Sequence, residues 1–439
     1  MGAVATDFAA RHLRWNLLLL GADFGLFMVG LAFMSSATVL PAFAASLGAS
    51  PVLIGAIPAV MTVGWFLPPL FAAAHTERLA RKLPFVLRWT GWERLPFLFI
   101  TLIAFFVAER APTLSMWLLL AMLLGMTAVG GMLMPAWTDL VARALPTRVR
   151  GRFFGLSSLA GTLGGLAGTS LTSWALATLP GSSAYGVVFL AATVSVALSW
   201  VALMFVREPP AETAPAHADF WTHLRGVPHL LRRDRNFSWY LVARVLTFGA
   251  VIGSGFFTVY ALRVLHAPAA DVGRFTAFLL AGQMAGQLVL GAIADRLGHR
   301  TVMVMAAAVA AAMNVLALMA GGLDAFVLVF ALNGLFTAAI QVSALNVVLE
   351  FAPTPAQNPT YVGIERTSLA PFGFALPLLG GLLIEVIGYG VVFALGAAFS
   401  VAGVGVLWRL VHEPRLLRAR AAMRDSTPEP SMNRTLVDS

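Results

Sequence analysis

The chain has no cysteine among its 439 residues. Disulfides, thiolate-held metals and thiol nucleophiles are therefore excluded. Charge is scarce as well: Asp, Glu, Lys and Arg together make up 11% of the sequence, against about 25% in a soluble domain. The eight histidines are scattered, and His75, His299 and His412 stand beside the ends of apolar runs. No Walker loop is present, so ATP hydrolysis is not encoded. No cluster of His, Asp or Glu at one depth suggests an enzyme, and neither a metal nor a cofactor is expected.

What is abundant is apolar surface. Hydrophobic residues make up 59% of the chain, and mean hydropathy is +0.84. A soluble fold of this length could not hide so much of it, so the composition calls for a bilayer. Lys and Arg outnumber Asp and Glu by 29 to 20, a net charge of +9. The basic residues sit in short breaks between apolar runs, where they act as orientation signals; nucleic acid is not expected as a partner.

A spanning helix needs about 20 mostly apolar residues. Twelve runs qualify, at roughly 15–43, 51–74, 84–108, 113–142, 153–179, 184–206, 237–264, 271–294, 301–321, 323–350, 361–387 and 389–411. Arg11 and Arg14 precede the first run, but a signal-peptide core has only about 7–15 apolar residues. This run extends to Phe43 and reads as a spanning helix. One side of the alternating topology collects nearly all loop arginines and Lys82: the N-terminus, 74–83, 143–152, 207–236, 295–300 and the tail. The other side holds Arg110, Arg263 and Arg274. By the positive-inside rule both termini are cytoplasmic.

The expected organisation is a six-helix bundle over residues 1–206, a linker at 207–236, a second six-helix bundle at 237–411 and a disordered cytoplasmic tail at 412–439. The linker opens on Glu208-Pro209-Pro210 and continues with mixed apolar and basic residues from Phe220 to Arg233. It is either an amphipathic helix on the inner leaflet or a solvated tether.

The halves echo each other. Gly55 precedes Glu77-Arg78-Leu79 by the same 22 residues that separate Gly273 from Asp295-Arg296-Leu297. Pro146-Thr147 leads to Phe154-Gly155, as Pro353-Thr354 leads to Val362-Gly363. Two six-span halves of the same orientation are parallel repeats. Residues 291–300, Gly291 through Asp295, Arg296, Gly298 and Arg300, resemble the loop Gly-x-x-x-Asp-Arg-x-Gly-x-Arg of the major facilitator superfamily. The first-half copy, at Glu77 and Arg78, lacks the leading glycine. Pro135-Ala136-Trp137 with Arg150, Gly151 and Arg152 is similar to bacterial members.

The resemblance implies an all-α fold of twelve transmembrane helices in two pseudo-symmetric bundles, and a secondary active transporter working by alternating access. It implies a monomer in a bacterial cytoplasmic membrane, with a small-molecule substrate and protons as partners. It also implies that Asp295 meets the start of the fifth span, near Arg152-Phe153, when the cytoplasmic side closes. Glu77 would address Thr360-Tyr361 in the same way. The glycine-rich stretch Gly161–Gly168 matches the antiporter motif without its proline, so it either serves export or packs helices. A non-transporting receptor or scaffold on the same fold is the rival reading. A large soluble domain would favour it, and these residues contain none.

Ionisable groups inside the spans cost about 2.5–3.5 kcal/mol each, so they mark function or pairing. Asp23 lies about 9 Å into the first span and Arg244 about 10 Å into the seventh, at about 1.5 Å per residue. Either they face one another across the cavity entrance, or each holds its own half together. Glu93 and Arg94 lie about 14 Å into the third span, and Arg94 is a rival partner for Asp23. Proton coupling through Asp23 or Glu93 is a further expectation. Gln283, Gln287, Asn333, Gln341 and Asn346 on spans eight and ten either line the cavity or bond helix to helix. Glu365 and Arg366, at the start of span eleven, read as structural.

Overall fold

The structure is a computed structural model describing residues 11–69, 79–209, 230–354 and 357–416, with Phe8, Ala72 and Thr76 besides. The described residues form α-helices with short 3-10 and π turns and no strand. In chain order the helices are α1 (Leu13–Phe33), α2 (Val39–Ser46), α3 (Pro51–Phe66), α4 (Leu83–Leu102), α5 (Pro112–Ala144), α6 (Thr147–Thr178) and α7 (Ser183–Met204). They continue with α8 (Arg235–Gly249), α9 (Phe257–Arg263), α10 (Asp271–Leu297), α11 (His299–Met319), α12 (Leu323–Phe351), α13 (Asn358–Val386) and α14 (Tyr389–Arg409). Glu77 and Arg78, most of the linker and the tail beyond residue 416 lie outside the described residues.

Ten helices among the described residues are long and apolar enough to cross a membrane, which makes the protein an integral membrane protein. The two expected spans outside that number have plain physical reasons. Helix α3 is described over only 16 residues. Helix α6 has 32 residues, but Arg148, Arg150 and Arg152 open it and glycine, serine and threonine dilute its middle. That dilution serves packing: side chains added at Gly161, Gly164, Gly165 or Gly168 would run into Met28, Val29, Ala32 or Phe33 of α1. The glycine stretch is thus the seat of the first helix.

The first and seventh expected spans are both broken. The first breaks at 34–38 between α1 and α2, and the seventh passes through a 3-10 turn, Ala250–Phe256, between α8 and α9. A break strands carbonyls that have no partner within the helix. One of them, Ala37 O, accepts from Thr258 Oγ1 at 2.8 Å, so the breaks of the two halves meet. Beside it the hydroxyls of Thr38 and Thr276 lie 2.7 Å apart.

Each half is tied shut at its linker end by an asparagine. Asn16 Nδ2 donates to Arg207 O at 3.0 Å, and Arg207 N donates to Asn16 Oδ1 at 3.1 Å. Asn236 repeats this double bond with His412, at 3.0 and 2.8 Å. The next residues repeat too. Glu208 accepts from Lys82 N at 2.7 Å and Leu83 N at 3.0 Å, capping α4. The carboxylate of Glu413 sits against Gly298, the N-cap of α11. Gly298 has φ +91°, where a side chain would be strained.

Helix α3 lies along α13, close enough at Gly55 that a Cβ there would overlap the carbonyl of Pro377. Helix α6 crosses α10 near the end away from the linker: Ser173 Oγ donates to Ala270 O at 2.9 Å. At that same end Arg263 donates to Ala49 O at 2.9 Å. Among the described residues, the hydrogen bonds between residues 11–204 and 235–416, those of Ser173, Arg263, Thr258, Thr38 and Val52, all lie toward the end away from the linker.

Candidate functional site

Inside the first half, α1, α3, α4, α5 and α7 surround a cavity of about 140 Å³. Its polar content comes from Asp23, Glu93, Arg94 and Thr90, and its walls from Phe24, Phe27, Met28, Trp65, Met134 and Trp137. Asp23 is 3% exposed and Glu93 5%. At that burial a charge survives only with partners.

Asp23 has them. Ser199 Oγ donates to Oδ1 at 2.7 Å and Trp137 Nε1 donates to Oδ2 at 3.0 Å. Arg94 stands 3.9 Å from Oδ1. The same guanidinium bonds Glu93 Oε2 at 2.9 Å and Ser199 Oγ at 3.2 Å. Its flat face lies 4.1 Å over the Phe27 ring. Arg94 Nε is buried without a hydrogen-bond partner. Gly130 faces the other Glu93 oxygen, and any side chain there would collide with Oε1. Trp137 stacks on Phe24 at 5.6 Å, and both approach Phe154 of α6. This aromatic wall stands between the acids and the linker end.

Arg244 does not meet Asp23: no ion pair joins them among the described residues. Arg244 Nε instead bonds Glu365 Oε1 at 2.9 Å, with both side chains buried. In this structure Asp23 and Arg244 each have their ionic partner on a helix of their own half, Arg94 and Glu365. The reason is angular: Asp23 points toward α4, α5 and α7, and Arg244 toward α13. Glu365, read as structural from the sequence, is that structural partner.

The glutamines do come together. Gln283 and Gln287 both donate to Gln341 Oε1, at 3.1 and 3.0 Å, bridging α10 to α12. Asn333 is buried in α12. Asn346 is exposed and bonds Val342 O of its own helix at 2.8 Å. In the last turn of α10, Asp295 and Arg296 are exposed. Asp295 makes no hydrogen bond or ion pair among the described residues. Arg300 donates to the carbonyls of Leu407 and Trp408, closing the end of α14. No group of three or more metal-ligating side chains occurs among the described residues.

Ser199, Phe27 and Gly130 are site residues that sequence reasoning missed. Ser199 and Gly130 carry no charge and sit in ordinary apolar runs, so nothing in the sequence marks them. Glu208 and Glu413 were also missed, although Val206-Arg207-Glu208-Pro209 and Val411-His412-Glu413-Pro414 are a visible repeat.

A 147-residue stretch is 32% identical to the tetracenomycin C resistance and export protein of Streptomyces glaucescens. The match spans 33% of this chain and only 27% of that protein's length. Among solved structures, the fold is similar to that of the nucleoside transporter NupG, with a TM-score of 0.69 at 13% identity, covering 89% of this chain and 98% of that one. It is similar also to a D-xylose-proton symporter, with a TM-score of 0.65 at 13% identity, covering 91% and 98%. These two likenesses are of fold. The family model of the Major Facilitator Superfamily matches residues 22–278 and 254–435, and the chain belongs to that family.

Proposed function

We propose that this protein is a secondary active transporter that moves a small solute across a bacterial cytoplasmic membrane by alternating access. In this reading twelve spans form two six-helix bundles, 1–206 and 237–411, joined by the linker 207–236, with both termini and the tail 412–439 in the cytoplasm. The observation that carries it is the uneven contact between the halves. They are hydrogen-bonded at the far end through Thr38, Thr258, Arg263 and Ser173, while among the described residues no hydrogen bond joins them at the linker end. That is the shape of an inward-open carrier.

Two finer readings follow. Coupling to protons is supported by two buried carboxylates sharing one guanidinium, because such a group is electrically neutral only when it also holds a proton or a cation. Export is supported by the name of the Streptomyces relative. Asp23, Glu93 and Arg94 are the coupling site in this reading, and Gln283, Gln287 and Gln341 line the opposite wall.

The test exploits the absence of native cysteine. Thr38→Cys with Thr276→Cys replaces hydroxyls 2.7 Å apart, within reach of a disulfide. In inverted vesicles with an imposed proton gradient, movement of tetracenomycin C, D-xylose or a nucleoside is expected to stop on oxidation and resume on reduction. Movement that persists with the disulfide formed overturns alternating access.

A further inference from the structure

We propose that the cavity beside Glu93 seats the ammonium head of an organic amine, with Glu93 Oε1 as its hydrogen-bond acceptor. This rests on the transporter reading and names the class of its cargo.

The first argument is charge. Asp23, Glu93 and Arg94 place two acids against one base in a buried site. The group lacks one positive charge, and an unbalanced charge in apolar surroundings is costly. By contrast Arg244 and Glu365, the buried pair of the second half, are balanced one to one. That pair is complete without a further cation, and the group of Asp23, Glu93 and Arg94 is not.

The second argument is which atom is free. Both oxygens of Asp23 are occupied, by Ser199 and by Trp137. Glu93 Oε2 is occupied by Arg94. Glu93 Oε1 accepts no hydrogen bond among the described residues, and Glu93 lines the cavity with Gly130 and the Trp65 ring close beside that oxygen. A ligand that donates an N–H⁺ completes this oxygen. A carboxylate or phosphate would face it with like charge, and Arg94 is already turned to Glu93, Ser199 and the Phe27 face.

The third argument is the wall. Trp65, Phe24 and Trp137 line the same cavity, and aromatic faces attract cations. A cavity of about 140 Å³ is smaller than the roughly 300–1,000 Å³ of a drug-sized pocket. It takes a head group and not a whole drug-sized molecule. A proton on Oε1 neutralises the site equally well, so proton and ammonium compete for one oxygen. Loading the amine onto the protonated site releases one proton and forms one N–H···O bond.

The experiment compares three heads on one body: phenethylamine, 2-phenylethanol and 3-phenylpropionate. Each is titrated calorimetrically into the purified full-length protein in detergent at neutral pH, in two buffers of different ionisation heat. The amine is expected to bind at least tenfold more tightly than the alcohol or the acid, with proton release visible as a buffer-dependent heat. Glu93→Gln is expected to lose at least tenfold in amine affinity while keeping the elution profile and thermal midpoint of the parent. Gly130→Ala, which crowds Oε1 and leaves its charge, is expected to weaken the amine too. Amine binding unchanged in Glu93→Gln overturns the proposal, as does equal or tighter binding of the acid or the alcohol. Absence of amine binding also overturns it, and transport in the disulfide-locked vesicles then still decides whether the protein is a carrier.

Discussion

Arg94 and Glu93 are neighbours in one cluster, yet their removal should act in opposite ways. Arg94 is the single base serving Asp23 and Glu93, and its side chain is 10% exposed. Arg94→Met keeps the length and apolar stem but leaves two carboxylates in an apolar cavity. Removing one partner of a buried ion pair costs about 3–5 kcal/mol. Losing the stacking on Phe27 adds about 0.5–2 kcal/mol. Glu93→Gln removes the surplus charge, and the amide oxygen still accepts from Arg94 NH1. Its cost should be under about 1 kcal/mol, since the guanidinium still donates to an amide oxygen, a hydrogen bond to a charged group worth about 1.5–3 kcal/mol, in a site with less unbalanced charge. In the double variant Asp23 keeps Ser199 and Trp137, so a good part of the Arg94→Met loss should return. The assay is thermal unfolding of detergent-solubilised protein followed by tryptophan fluorescence, run as a double-variant cycle. Glu93→Gln as damaging as Arg94→Met, or strictly additive effects, would refute the charge count on which the site is built.

Two further outcomes are expected. Glu208→Ala should lower stability by about 0.5–2 kcal/mol, the range for a lost helix cap, because Lys82 N and Leu83 N both lose their acceptor; thermal unfolding checks it. Asp295→Asn should increase maleimide labelling of a cysteine placed at Gly155, on the linker side, because the acid can reach the first turn of α6 only when that side is shut. Unchanged labelling would restrict Asp295 to balancing nearby arginines.

Much of the fold was legible because membrane helices announce themselves by length and hydropathy. The exceptions are instructive. Helix α6 is too polar by composition to pass as a span, since its glycines give α1 a seat and its threonines bond their own turns. The break at 34–38 was not read, although Ser35, Ser36 and Thr38 interrupt the apolar run there, because small hydroxyl residues also occur inside spanning helices; Thr258, far along the chain, satisfies the stranded carbonyl. At the site, depth arithmetic put Asp23 and Glu93 within about 5 Å of the same level, which permitted a cluster. It could not give the angle of each side chain about its helix axis. That angle decided for Arg94 against Arg244 as the partner of Asp23.

The repeat explains why a pairing of Asp23 with Arg244 was attractive. The frame of the molecule is symmetric: Asn16 matches Asn236, Glu208 matches Glu413, and the breaks of the first and seventh spans meet at Ala37 and Thr258. Matched positions invite matched roles, and Asp23 and Arg244 occupy matched helices. The side chains inside the frame are not matched. The acid of α1 is answered from α4, next door to a second acid, whereas the base of α8 is answered from α13 by a single one. A closed one-to-one pair needs nothing from outside, and its strength resists change. A two-to-one group is incomplete in every state, and its occupant can differ between states. Rocking of two similar bodies needs the symmetry of the frame, while a load that enters on one side and leaves on the other needs a site that is not self-sufficient. In the proposed reading the first half holds that site, and the second half, with Arg244 and Glu365 paired, is the body it moves against.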